Sequence, residues 1–173
     1  MKKISAYQIA LSALSCALAT IFLTLGVVSE VLLFTGYLLG GIALMLPLTK
    51  QSYLGYVLAF ISTCILSCIF ASFRFWDILP FLMFFGLHPL VNELQLKWKI
   101  NCYLACVVKA LWFDLTMYLV WKVVFAITTS IPAIDTYVLP IILVVGSIFF
   151  IGYDYAVFGW RNIVLRLARR ISK

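Results

Sequence analysis

From Ile4 to Ser29 the chain runs for 26 residues without one charged side chain. As a helix, such a run is long enough to cross a hydrocarbon core about 30 Å thick. Within it Ala6, Ala10, Ala13 and Ala17 recur at a spacing that sets four methyl-sized side chains on one helix face. Lipid supplies no hydrophobic drive for helix pairing, so close approach along small residues is a usual association device. The stripe therefore packs against the chain's own helices or against a separate membrane subunit.

The rest of the sequence agrees with that first run. Hydrophobic residues make up 65% of the 173 residues, charged residues 11%, and the mean hydropathy is +1.14. A soluble domain of this size cannot hide so much apolar surface, and the chain reads as an integral membrane protein. A net charge of +7 would suggest nucleic acid in a soluble chain, but here the basic residues sit at loops and ends, as topology requires. No secretory signal peptide is expected, because the first apolar run is too long and lacks a small-residue cleavage site.

Six spans follow from length and hydropathy, at about Ile9–Val28, Val31–Leu48, Tyr53–Phe73, Ile78–Val91, Cys102–Ile127 and Tyr137–Tyr155. Ten of the 13 basic residues then fall on one side, against Arg74 alone opposite, with Lys109 and Lys122 inside a span. The positive-inside rule sets both termini in the cytoplasm. Beyond residue 158, apolar Trp160, Ile163, Val164, Leu167, Ala168 and Ile171 alternate with four arginines. The chain thus divides into a six-helix domain over 1–158 and a basic amphipathic helix over 159–173 at the membrane interface, facing anionic lipid or a partner subunit.

Five cysteines, an odd number, argue against a disulfide framework. Cys64 and Cys68 form one i, i+4 pair and Cys102 and Cys106 another. The two pairs sit at different depths, more than about 10 Å apart along the membrane normal, too far for one tetrahedral metal site. Lone His88 has no second histidine and no carboxylate pair near it in sequence, which supports neither metal binding nor base catalysis.

Two groups of residues carry possible ligand chemistry. The outer turn Ser72–Asp77 holds Arg74, Trp76 and Asp77, either an aromatic belt with a surface ion pair or a lid with a cation, a stacking ring and a carboxylate. The fifth span holds Asp114, Tyr118 and Lys122, four residues apart, which climb one face toward the outer surface. Ionisable groups inside a membrane normally face a bundle interior or a wet cavity. These three read as the wall of an outward-opening pocket or as internal glue between helices. Asp154, near the inner end of the sixth span, is in reach of Lys109. The chain lacks a Gly-rich phosphate loop, a Ser/His/Asp set, paired catalytic carboxylates and an HExxH motif, so no enzyme activity and no cofactor is expected.

The uncharged, alanine-striped first helix in a six-span chain of this size resembles the substrate-binding S component of energy-coupling-factor (ECF) vitamin transporters. That resemblance carries over Ala10, Ala13 and Ala17 as the seat for a transmembrane T component driven by two ATPase subunits. It implies capture of a small water-soluble ligand at the outer face of a bacterial cell membrane. The first outer turn, around Gly26–Glu30, is shorter than the gating loop usual in that family. Phe84-Phe85-Gly86-x-x-Pro89, Lys109-x-x-x-Phe113-Asp114 and Gly152-Tyr153-Asp154-Tyr155-Ala156 together resemble a second group, small six-span bacterial proteins. That family often has Tyr at the His88 position, Lys at Asn92 and Asn at Asp114. A non-transporting membrane subunit or assembly factor is the alternative function, and a lipid-handling protein a third.

Overall fold

Among the residues described by the computed structural model, six helical segments are long and apolar enough to cross a membrane: Ala6–Ser29, Leu33–Lys50, Tyr53–Phe70, Phe75–Lys97, Cys102–Val123 and Tyr137–Ala168. The description covers the backbone of residues 5–29, 31–125 and 132–171, and the side chains of these except 124–125, 132–136 and 169–171. The elements are α1 (Ala6–Ser29), α2 (Leu33–Leu44) with a 3-10 turn at Pro47–Lys50, and α3 (Tyr53–Phe70). The fourth span combines α4 (Phe75–Pro80), a π-helical turn (Phe81–Phe85) and α5 (His88–Lys97). The fifth is α6 (Cys102–Val120) with a π turn at Trp121–Phe125. Then come α7 (Pro132–Ile141), a π turn at Ile142–Gly146 and α8 (Ser147–Ile171). The architecture is all-α, consistent with a multi-pass membrane bundle.

Glycine brings the first two helices together. A Cβ on Gly26 would stand 2.9 Å from the Gly36 Cα, and one on Gly36 would stand 2.8 Å from the Phe22 carbonyl oxygen. Helices pairing in lipid gain from such backbone approach, since dispersion contacts replace the missing hydrophobic drive. The buried face of α1 carries Ser15, Ala19, Thr20, Leu23, Gly26 and Val27.

The prolines in the second and fourth spans would each orphan a carbonyl that water cannot reach, and hydroxyls answer them. Pro47 has no N–H for the Ala43 carbonyl, which accepts instead from Ser15 Oγ at 2.9 Å and from the Leu46 N–H at 3.3 Å. At Pro80 the helix tightens, so that the Phe81 N–H turns to Ile78 and the freed Asp77 carbonyl accepts from the Tyr37 hydroxyl. Beside Pro89 the Leu90 N–H goes to Leu87, and the Gly86 carbonyl accepts from the buried Tyr56 hydroxyl. The fourth span therefore runs through both prolines to Lys97, rather than stopping between Ile78 and Val91. The third ends at Phe70, three residues short of expectation, because Ser72 and Phe73 adopt left-handed φ of 53° and 61°.

Phe84 is the hub of the core. Fully buried, it meets Trp112 at 4.8 Å, Phe113 at 5.0 Å and Phe150 at 6.0 Å between ring centroids, all edge-to-face. Such geometry contributes beyond area alone, and it ties the fourth span to the fifth and sixth.

One end of the bundle gathers the basic residues. Lys50 lies over Tyr7 at 5.4 Å and Lys97 over Tyr53 at 4.5 Å. Arg161 forks onto Glu93, with Nε and Nη2 donating at 2.7 and 3.1 Å. Helix α8 passes without a break across the expected boundary at 158/159. Its Val157, Val164 and Ala168 are buried against the bundle, whereas Trp160, Ile163 and Leu167 face outward.

Candidate functional site

Asp114 projects from α6 with 4% of its surface exposed. Its Oδ2 accepts a hydrogen bond from Ser147 Oγ at 2.8 Å, while Oδ1 has no partner among the described residues. The sixth span makes room for it at the π turn Ile142–Gly146: a Cβ on Gly146 would stand 3.1 Å from Oδ1. A π turn widens the helix by one residue and often marks a functional position. Tyr118, one turn along α6, is half-buried. Lys122 falls in the second π turn, exposed, with its Nζ 6.0 Å from the Tyr118 ring centroid. The three residues expected on one face thus stay in succession.

Asp114 and Tyr118 line a cavity of about 230 Å³ completed by Leu111, Leu115, Leu139, Ile142 and Leu143. Four of these leucines are exposed on the bundle's outside, Leu111 by 60% and Leu143 by 46% at the extremes. The cavity therefore opens sideways, between the fifth and sixth spans. Arg74, Trp76 and Asp77 are not among its lining residues.

The second group lies apart from that cavity. Arg74 Nε donates to Asp77 Oδ2 at 2.7 Å, so cation and carboxylate partner each other. Trp76 stands 45% exposed, edge-on to Phe75 at 5.8 Å. Beside them lies an apolar groove of about 460 Å³ that takes in Ile61, Cys64, Ile65, Cys68, Phe73 and Phe75.

The most elaborate polar cluster was only partly legible. Lys109 Nζ donates to both oxygens of Asp154 at 2.8 Å and to Asn92 Oδ1 at 2.9 Å. Asn92 Nδ2 donates to Asp154 Oδ1 at 3.1 Å. His88, fully buried, brings Nε2 to 3.0 Å from the same oxygen, although neither of its nitrogens has hydrogen-bond geometry to any described residue. Spacing exposed the Lys109–Asp154 pairing, but nothing near His88 in sequence pointed to the carboxylate that the fold brings to it. The signal lay in the three short motifs: Phe84 and Phe85, Lys109 and Phe113, and Tyr153 and Asp154 all converge here. A buried ion pair with its remaining donors and acceptors occupied fixes three helices against one another.

On α1, Ala6, Ala10, Ala13 and Ala17 are all exposed, on the side away from α2 and α3. Bulky outward residues occur along the whole helix, with Ile9, Leu14, Ile21, Leu25 and Val28 each more than half exposed. Among the described residues no three His, Cys, Asp or Glu side chains gather as metal ligands.

Fold and site thus define a multi-helix membrane-protein class, with a buried carboxylate beside an apolar cavity. No known protein family, curated protein or solved structure matches the chain.

Proposed function

We propose that the chain is the substrate-capture subunit of an ECF-type importer, which binds a small water-soluble ligand at its outer face and docks through its first helix on a T component driven by partner ATPases. The observation that carries this reading is the exposure of the alanine stripe. Ala6, Ala10, Ala13 and Ala17 face away from the chain's own helices, so the small side chains are not spent on internal packing. Exposed Ile9 and Leu14 flank the stripe and Ile21, Leu25 and Val28 follow it, so another helix approaches closest along the alanines themselves.

Replacing Ala13 and Ala17 by leucine tests this. In a gentle-detergent pull-down of the tagged full chain, the wild type recovers a T component and two ATPases. The double variant should lose them while its unfolding midpoint stays within a few degrees, because exposed positions bear little on stability. Unchanged recovery, or a wild type that brings down no such complex, would sink the proposal.

A second reading, a non-transporting membrane subunit, is favoured by the Arg74–Asp77 pair at 2.7 Å. There the two charges most suited to a polar solute are paired with each other. Recovery of a different membrane protein, with no small molecule, would establish that reading in place of the first.

A further inference from the structure

We infer that the buried cluster around Asp154 is a proton-operated clasp: a proton taken up by His88 moves the carboxylate's grip from Lys109 on the fifth span to His88 on the fourth. The inference is independent of docking and of ligand capture. One carboxylate serves three spans here. Asp154 of α8 accepts from Lys109 of α6 through both oxygens at 2.8 Å, and from Asn92 of α5 at 3.1 Å. His88 Nε2 lies 3.0 Å from the same Oδ1, close but out of hydrogen-bond alignment, and Nδ1 has no partner among the described residues. A bare lone pair on Nε2 would face those of the carboxylate, so the neutral ring carries its hydrogen on Nε2 and its lone pair on Nδ1. A second proton, on Nδ1, gives the ring a full charge beside Asp154 and makes the Nε2 contact a charge-assisted one. The Phe84 and Tyr153 rings, with centroids 5.1 and 5.0 Å from that of the imidazole, offer π faces to the same cation.

Two cations then compete for one buried carboxylate. Asp154 and Lys109 balance each other, a protonated His88 adds one positive charge, and an unbalanced charge at this depth is costly. Lys109 is the one that can leave. Its ammonium also donates to Asn92 Oδ1 at 2.9 Å and stands 5.1 Å from the Phe158 ring centroid. Phe158 is one turn past Asp154 toward the basic end, so the flexible lysine stem carries its charge toward water. Water is close at that end: the Asp154 side chain is 13% exposed, and the Glu93–Arg161 pair is partly exposed. A cavity of about 20 Å³, room for one water, has Asn92, Glu93 and Arg161 in its lining. The remaining titratable groups around the ring are phenols, Tyr153 of α8 and Tyr56 of α3, which donates to the Gly86 carbonyl. Phenols stay neutral in the range where histidine titrates. With Lys109 displaced, the fifth span loses its ion pair with the sixth.

The sequence holds a single histidine, so NMR of the full chain with nitrogen-15-labelled histidine and a histidine-free tag reports on His88 alone. Lowering the pH from about 8 to about 4, through the histidine range, should protonate Nδ1 in one reversible step, with Nε2 protonated throughout. Hydrogen exchange of the α6 segment around Lys109, corrected for the intrinsic effect of pH, should rise by roughly tenfold or more at the same midpoint, because the segment opens more readily without its ion pair. His88→Phe keeps the bulk of the ring and should hold exchange flat over the same range. Each of four results would overturn the inference: a His88 that stays neutral until the chain unfolds, a high-pH ring with its hydrogen on Nδ1, a titration that leaves α6 exchange unchanged, or an acid loosening that persists in His88→Phe. The first three need no variant, so they decide the matter even where His88→Phe does not fold.

Discussion

Lys109 and Asp154 stand 45 residues apart in sequence and 2.8 Å apart in space. Removing one partner strands the other's charge in a buried site, which costs about 3–5 kcal/mol, whereas replacing both by apolar groups costs far less. Lys109→Met should therefore lower the unfolding midpoint in detergent sharply, and Lys109→Met with Asp154→Leu should recover much of the loss. A double variant no better than the single would mean that the pair's geometry, not its charge, holds the helices. The hydroxyls that answer the prolines make a second case. Tyr56→Phe leaves the Gly86 carbonyl without its donor and should cost about 1–3 kcal/mol in reversible denaturant unfolding. A loss within experimental error would show that the carbonyl finds another donor. Sequence revealed the prolines, but not that Ser15, Tyr37 and Tyr56 would meet the carbonyls those prolines release, since the partners are 28 to 40 residues away.

At the scale of elements, Gly36 and Gly40 stand four apart in the second span, a spacing that goes with tight helix contact, and the contact is there. What it left open was the partner: Gly36 meets Gly26 of α1, while a Cβ on Gly40 would stand 3.1 Å from the Phe81 ring. Gly36→Val should drive α1 and α2 apart and destabilise by about 1–3 kcal/mol, the usual cost of overpacking. Thermal unfolding measures it, and a neutral result would mean the two helices slide freely. The π turns were not legible. Each is a one-residue excess that tertiary packing decides, and the hydropathy pattern carries through it unchanged. Helix α8 teaches the same lesson, because the arginine-rich pattern after residue 158 suggested a separate element, yet no glycine or proline stop intervenes except Gly159, and the helix continues.

For the whole molecule, the contacts of Lys50, Lys97 and Arg161 gather the ends of alternate spans at one face of the bundle. If the basic end faces the cytoplasm, as charge asymmetry requires, exposed Cys102 beside Asn101 is a reporter. In a chain with its other four cysteines changed to alanine, a membrane-impermeant maleimide should label Cys102 only after the cells are permeabilised. Labelling of intact cells would invert the topology and set the Asp114 cavity in the inner half. The order of residues alone decided the class of protein and its span number, because hydropathy and helix length answer only to the thickness of the bilayer. It also determined which ionisable groups lie within spans. Which of those groups meet was a tertiary decision: Lys109 found Asp154, Arg74 turned to Asp77, and one oxygen of Asp114 was left without a donor against Gly146. Helix faces are readable from a period of 3.6, but which face meets which depends on backbone approach at particular glycines and on carbonyls freed at particular prolines. Those are facts of packing, and no local pattern encodes them.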